Sequence, residues 1–209
     1  MYETAKLTGY RVDQTGTELR IFVPGKNLQE TIINRKTNEC EVYIPDKREI
    51  TADQRKKIYA TFNDISEYTG YDIDSVKLLM KSLHMVRTKC NFFSLSNCSI
   101  EVAKSFINTI IDYCLENGVQ LKDTALNRTS DIDHYLWKCL KERVCCICGY
   151  KADLHHVDAI GRGIDRNTYD DSEHKKMALC RTHHTESHTI GQVDFMKKYN
   201  VYGIKYKEE

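Results

Sequence analysis

The spacing of apolar and polar positions changes character several times along the chain. Residues 1 to about 48 read as β-rich. Thr17-Glu18-Leu19-Arg20-Ile21-Phe22-Val23 is strand-like and stops at Pro24-Gly25, and Glu41-Val42-Tyr43-Ile44 stops at Pro45-Asp46. Ile32 and Ile33 are candidates for a third strand, with Thr37-Asn38 near a turn. From Thr51 the period becomes helical. Thr51 and Gln54 form a capping-box signature, and Ile58, Phe62, Ile65 and Tyr68 follow at three- and four-residue steps until Gly70. Asp72 and Asp74 are alternative caps for a second helix carrying Val76, Leu79, Met80 and Leu83. After a mixed stretch at 86–98, Ser99 opens a helix with Val102, Phe106, Ile110 and Tyr113 or Cys114 on one face, and Gly118 is its stop. The polar run 122–130 (KDTALNRTS) reads as a linker. Ser130 with Asp133 then caps a short helix bearing Ile132, Leu136, Cys139 and Leu140, with Trp137 beside them. No segment repeats or is low-complexity, and the tail (KYKEE) reads as frayed.

The chain has 209 residues, 41% hydrophobic and 29% charged, which suits one sizeable globular domain or two small ones. A net charge of +1 excludes a global basic field, so any nucleic-acid binding needs a local patch. No apolar run reaches membrane-spanning length, and the N-terminus (MYETAKLTGY) lacks the apolar core of a signal peptide. Of nine cysteines, Cys40, Cys90, Cys98, Cys114 and Cys139 are scattered while four crowd into residues 145–180. That pattern suits reduced thiols with one local metal site, and the cytoplasm is the expected compartment.

Cys145-x-x-Cys148 is answered by Cys180-x-x-His183, two ligand pairs at the spacing of a structural zinc knuckle. Cys146 is an alternative to Cys145 with poorer spacing, and buried free cysteines are the bland alternative to the whole set. Zinc needs four ligands, so His155, His156, His184 and His188 remain over and point to a second, catalytic metal site. Leu154-His155-His156-Val157 has strand character and sends its two histidines to opposite faces; Gly161-Arg162-Gly163 follows as a turn. Met177-Ala178-Leu179 leads into Cys180, and a helix over Thr182–His188 puts His184 and His188 on one face. Asp158 is a candidate to orient a histidine or approach the metal, and equally a solvated loop acid. Arg162, Arg166 and Arg181 are candidate phosphate contacts against a reading as solvated charges. In the first half, Lys56, Lys57, Lys81, Arg87 and Lys89 with Phe92 and Phe93 could serve a nucleic acid. The competing reading is a charged face and two core aromatics.

The combined pattern over residues 143–195 closely resembles the HNH endonucleases of the ββα-metal fold. The resemblance implies that His156 is the general base and that His155, His184 and His188 hold one divalent cation, Mg²⁺ or Mn²⁺, beside the structural Zn²⁺. Two departures stand out. His183 occupies the place of a fourth cysteine, and Lys175 stands where the family has the asparagine that ties down the base's loop. His174 is the first candidate substitute for that asparagine, and Asn167 lies further back. Ile50–Met80 and Ser96–Leu121 are similar to the Orf (NinB) recombination proteins of lambdoid phages, including versions with an HNH segment appended. That similarity implies a homodimer binding single-stranded or branched DNA and working with recombination proteins such as single-strand-binding protein.

The expected architecture is α+β. Residues 1–125 form an α/β DNA-binding domain, 126–142 a linker and connecting helix, and 143–209 a zinc-stapled ββα-metal nuclease domain. The expected function is that of a phage recombination nuclease. Its rivals are a non-catalytic single-strand-binding mediator and a zinc-stapled protein–protein adaptor.

Overall fold

Three side-chain caps read from the sequence frame the structure, a computed structural model that describes residues 4–35, 40, 42, 44, 48–158 and 172–207. The fold is mixed α+β, and the chain forms two compact units, Met1–Pro45 and Asp46–Glu209.

In the first unit β1 (Lys6–Val12) and β2 (Thr17–Phe22) make an antiparallel hairpin, with Leu7 opposite Ile21 and Tyr10 opposite Leu19. Its turn is held by Asp13 Oδ1, which accepts from the N–H groups of Thr15 and Gly16. Ile32 and Ile33 lie in a short helix, α1 (Gln29–Arg35), and not in a third strand. Two adjacent β-branched residues carry no period of their own, and Asn27 Oδ1 starts the helix by accepting from Gln29 N–H. Of the expected strand Glu41–Ile44, Glu41 and Tyr43 lie outside the described residues.

The second unit begins with α2 (Ala52–Thr69). Thr51 and Gln54 make the reciprocal capping box, and Gly70 closes the helix at φ 78°. Asp72, not Asp74, caps α3 (Ile73–Thr88), and Ser99 caps α4 (Ile100–Asn117) with Gly118 as its left-handed stop. Ile58, Phe62, Ile65, Val76, Met80, Phe106 and Ile110 interlock as a core, and Phe62 meets Phe106 edge-on at 6.1 Å. Each side chain so buried contributes about 1.5–3 kcal/mol. Tyr68 and Leu79 fall off the expected faces and are exposed, the Tyr68 hydroxyl donating to Asn117 O. The two phenylalanines divide: Phe93 is core at 9% exposure, while Phe92 is outside at 75%.

The run 122–130 is more than a connection. It contains α5 (Ala125–Arg128), which packs against α2 and α4, and Arg128 reaches Asp64 at 3.3 Å in a buried ion pair. Asp131, not Ser130, caps α6 (Ile132–Glu142) by accepting from His134 N–H. A carboxylate outcompetes a hydroxyl as an acceptor at a helix start, where the dipole favours negative charge. Helix α6 turns Tyr135, Leu136, Cys139 and Leu140 inward and packs against both α4 and the strand that follows the metal loop. That strand is β4 (Lys175–Leu179), central in an antiparallel sheet between β3 (Asp153–His156) and β5 (Ile204–Lys205). Helices α7 (Arg181–Ile190) and α8 (Gln192–Tyr199) complete the unit. Neither α8 nor β5 was expected from the sequence. Among the described residues no helix is long and apolar enough to cross a membrane.

Candidate metal centres and active site

Two clusters of metal-ligating side chains lie on consecutive elements of the second unit. The first joins Cys145, Cys148, Cys180 and His183, whose donor atoms all lie within 4.8 Å of one another. Local backbone bonds build it. Gly149 N–H donates to Cys145 O and Cys145 N–H to Tyr150 O, a tight turn that Gly149 permits at φ 75°. Cys180 sits at the N-cap of α7, so His183 one turn later faces the same point. The Cys148 and Cys180 sulfurs are 3.6 Å apart, and His183 Nδ1 lies 3.2 Å from Cys180 Sγ and 3.5 Å from Cys145 Sγ. A tetrahedron with Zn–S bonds of about 2.3 Å has edges of about 3.8 Å. The observed edges are close to that, so the donor set fits zinc.

The thiols of the cluster shift in opposite directions. Burial pushes the Cys148 thiol up to about 12. Burial also raises Cys180, but His183 N–H and the neighbouring thiols outweigh it and hold the group below an ordinary cysteine. Four crowded donors cannot all be thiolate or free imidazole without a compensating cation. Cys146 is outside the set. It is 0% exposed, its N–H donates to Ala178 O, and its carbonyl accepts from the Tyr135 hydroxyl. The edge of the Tyr199 ring meets His183 at 5.5 Å, and the Tyr199 hydroxyl donates to Glu186 at 3.0 Å, fixing α8 against α7.

The second cluster is His155, His184 and His188, again within 4.8 Å. His155 is the third residue of β3 and is 2% exposed; its ring lies 4.6 Å from that of His184 and 5.2 Å from that of His188. Burial pushes His155 down to about 4 and lowers His184 as well. Both are therefore neutral near pH 7 and present lone pairs, the state in which imidazole binds a metal. Gln192, at the start of α8, adds an amide: its Nε2 is 2.5 Å from His155 Nε2, and its Oε1 is buried without a hydrogen-bond partner among the described residues. An unsatisfied oxygen beside three imidazoles suits a divalent cation, so these residues fit one.

His156, the next residue on β3, is half-buried; its ring is 6.5 Å from that of His174 and it belongs to neither cluster. The strand's alternation accounts for the division, since adjacent side chains point to opposite faces. Asp158 Oδ2 accepts from Lys175 N–H at 3.0 Å, so it is not merely a solvated loop acid. Arg181 is exposed at the first turn of α7, and its charge helps to lower His184. Arg162, Arg166, Asn167 and the Gly161–Gly163 turn lie outside the described residues. Sequence reading missed Gln192, which stands after the last histidine of the pattern and carries no spacing signal.

A family model described as "Putative HNHc nuclease" matches residues 24–209. No curated protein and no solved structure matches the chain.

Proposed function

The chain belongs to the HNHc nuclease family, and on that premise we propose that it hydrolyses phosphodiester bonds of DNA, with His156 as general base beside a cation held by His155, His184 and His188. The supporting observation is the division of β3: His155 turns into the histidine cluster while its neighbour His156 stays outside it.

His156 takes the proton of the attacking water through a ring nitrogen. His155 and His184, kept neutral by burial, hold their lone pairs toward the shared centre. Sites of this type use a divalent cation to stabilise charge on the leaving oxygen and the bound phosphate. Arg181, exposed at the start of α7, takes a phosphate oxygen, as do Arg162 and Arg166. Three nitrogen donors favour Mn²⁺ over Mg²⁺, which prefers an all-oxygen shell. Cys145, Cys148, Cys180 and His183 hold a structural Zn²⁺ that seats α7.

We assign residues 1–125 to recognition of single-stranded or branched DNA, residues 126–142 to the connection, and residues 143–209 to cleavage. The protein acts as a homodimer in phage recombination within the host cytoplasm, beside partners such as single-strand-binding protein. This reading rests on the Orf (NinB) resemblance and on the exposed ring of Phe92. The division is one of labour. Helices α2–α6 share a continuous core with β4 and α8.

The test is cleavage of plasmid and branched DNA with Mn²⁺ or Mg²⁺, wild type beside His156→Ala. Wild type should leave 5′-phosphate and 3′-hydroxyl ends, while the variant stays folded and is at least 100-fold slower. Equal rates would sink the assignment. Tight single-strand binding with no cleavage under any divalent ion would favour the non-catalytic mediator.

A further inference from the structure

We propose that Asp158 is a positioning residue for His156, clamping the end of β3 to the start of β4; the role rests on the nuclease reading above. His156 is the last residue of β3 and pairs with Lys176. A base at a strand end is exposed to fraying unless the next rung is secured. Here that rung is doubly secured. Val157 N–H donates to Lys175 O at 2.8 Å, and Asp158 Oδ2 accepts from Lys175 N–H at 3.0 Å. The two residues after His156 thus engage both backbone polar groups of one residue on the opposing strand. The bond to Asp158 is charge-assisted, so it is stronger than the rung it extends.

The same point is braced from the other side. Lys175 pairs with Lys205, and a Cβ at Gly203 would come within 2.6 Å of Val157 Cγ2 and 3.0 Å of Lys175 Cβ. Three chain segments therefore meet with no free space at the rung beside His156. Sequence reading offered His174 for the task of tying down this region. The carboxylate of Asp158, two residues beyond the base, bonds directly to the opposing strand.

The experiment pairs amide hydrogen exchange at Lys175, read by NMR on the intact chain, with single-turnover cleavage of plasmid DNA. Asp158→Ala should speed Lys175 exchange at least 10-fold. It should lower the cleavage rate constant about 10- to 100-fold, the range that a small misplacement of a reacting group commands. Substrate KM and zinc content should stay unchanged. Asp158→Asn, which keeps an acceptor oxygen, should recover most of both losses, and Asp158→Glu should fall between. Unchanged Lys175 exchange in Asp158→Ala overturns the clamp, and lost protection with wild-type cleavage overturns its link to His156. If wild type itself does not cleave, the nuclease reading fails, and Lys175 exchange alone decides whether the clamp exists.

Discussion

Replacing Cys148 by serine should melt the whole Asp46–Glu209 unit earlier, in one transition. Zinc sites of this size contribute on the order of 10–16 kcal/mol to folding, so losing one of four ligands forfeits about 3 kcal/mol or more. The unit spans about 160 residues, whose unfolding entropy is about 0.34 kcal/mol/K, so the melting temperature should fall by about 9 °C. The loss should spread because the knuckle is wired into the helices. Cys146 O accepts from Tyr135 of α6, Cys146 N–H donates to β4, and Phe195 of α8 is wholly buried in the same core. The measurement is scanning calorimetry with zinc content on the same samples, beside Cys146→Ser. That control buries a hydroxyl at a cost of about 1–3 kcal/mol yet should keep one zinc per chain. A Cys148→Ser protein with full zinc and a melting temperature within about 2 °C of wild type would refute the ligand assignment. A separate early transition confined to residues 143–209 would refute the coupling.

Arg128→Met should cost about 3–5 kcal/mol in urea unfolding, because Asp64 would be left buried without its cation; a loss under about 1 kcal/mol would contradict the buried pair. Gly203→Ala should lower the urea midpoint by the equivalent of about 1–3 kcal/mol, since the new Cβ meets Val157 at 2.6 Å; an unchanged midpoint would show that β5 yields freely. The hydrogen bond to Asp112 raises the His134 pKa, with the charges of Asp112 and Asp131 adding to it against burial. A raised folded pKa stabilises fully below the unfolded value of about 6.5, and the contribution is lost as pH rises through the folded value. Urea melts at pH 5.5 and 8.5 should therefore show wild type losing more stability on alkalinisation than His134→Gln, and parallel pH profiles would exclude the linkage.

Local signals read best where one residue does one physical job. The Thr51 and Ser99 caps and the Gly70 and Gly118 stops each satisfy nearby backbone groups and were legible, while the α3 cap was narrowed to Asp72 or Asp74. The local halves of both donor clusters were legible for the same reason, since Cys145 and Cys148, Cys180 and His183, and His184 and His188 are each three or four residues apart; the match to a known pattern is what joined the halves. Competition was harder. Ser130 was the expected cap of α6, yet the neighbouring Asp131 takes the position, a choice the fold makes. Ile32-Ile33 is too short a run to declare a period. What could not be read are the bonds between distant segments: Arg128 to Asp64, Gln192 to His155 and Asp158 to Lys175. None has a spacing rule, because each depends on how elements pack.

His183 and His184 are neighbours in the chain, yet each belongs to a different donor cluster. On the proposed assignment, the two ions share one peptide unit of α7. Their occupancies are then linked like two ligands on one scaffold: whatever seats the first fixes one arm of the second. The order of loading follows. On that assignment zinc would seat α7 first, and His184 and His188 would then come to rest opposite His155. A freshly made chain should pass through a zinc-replete, hydrolytically silent stage before it can cut. Chelators should reverse the sequence, stripping the exchangeable ion at concentrations that leave the knuckle filled.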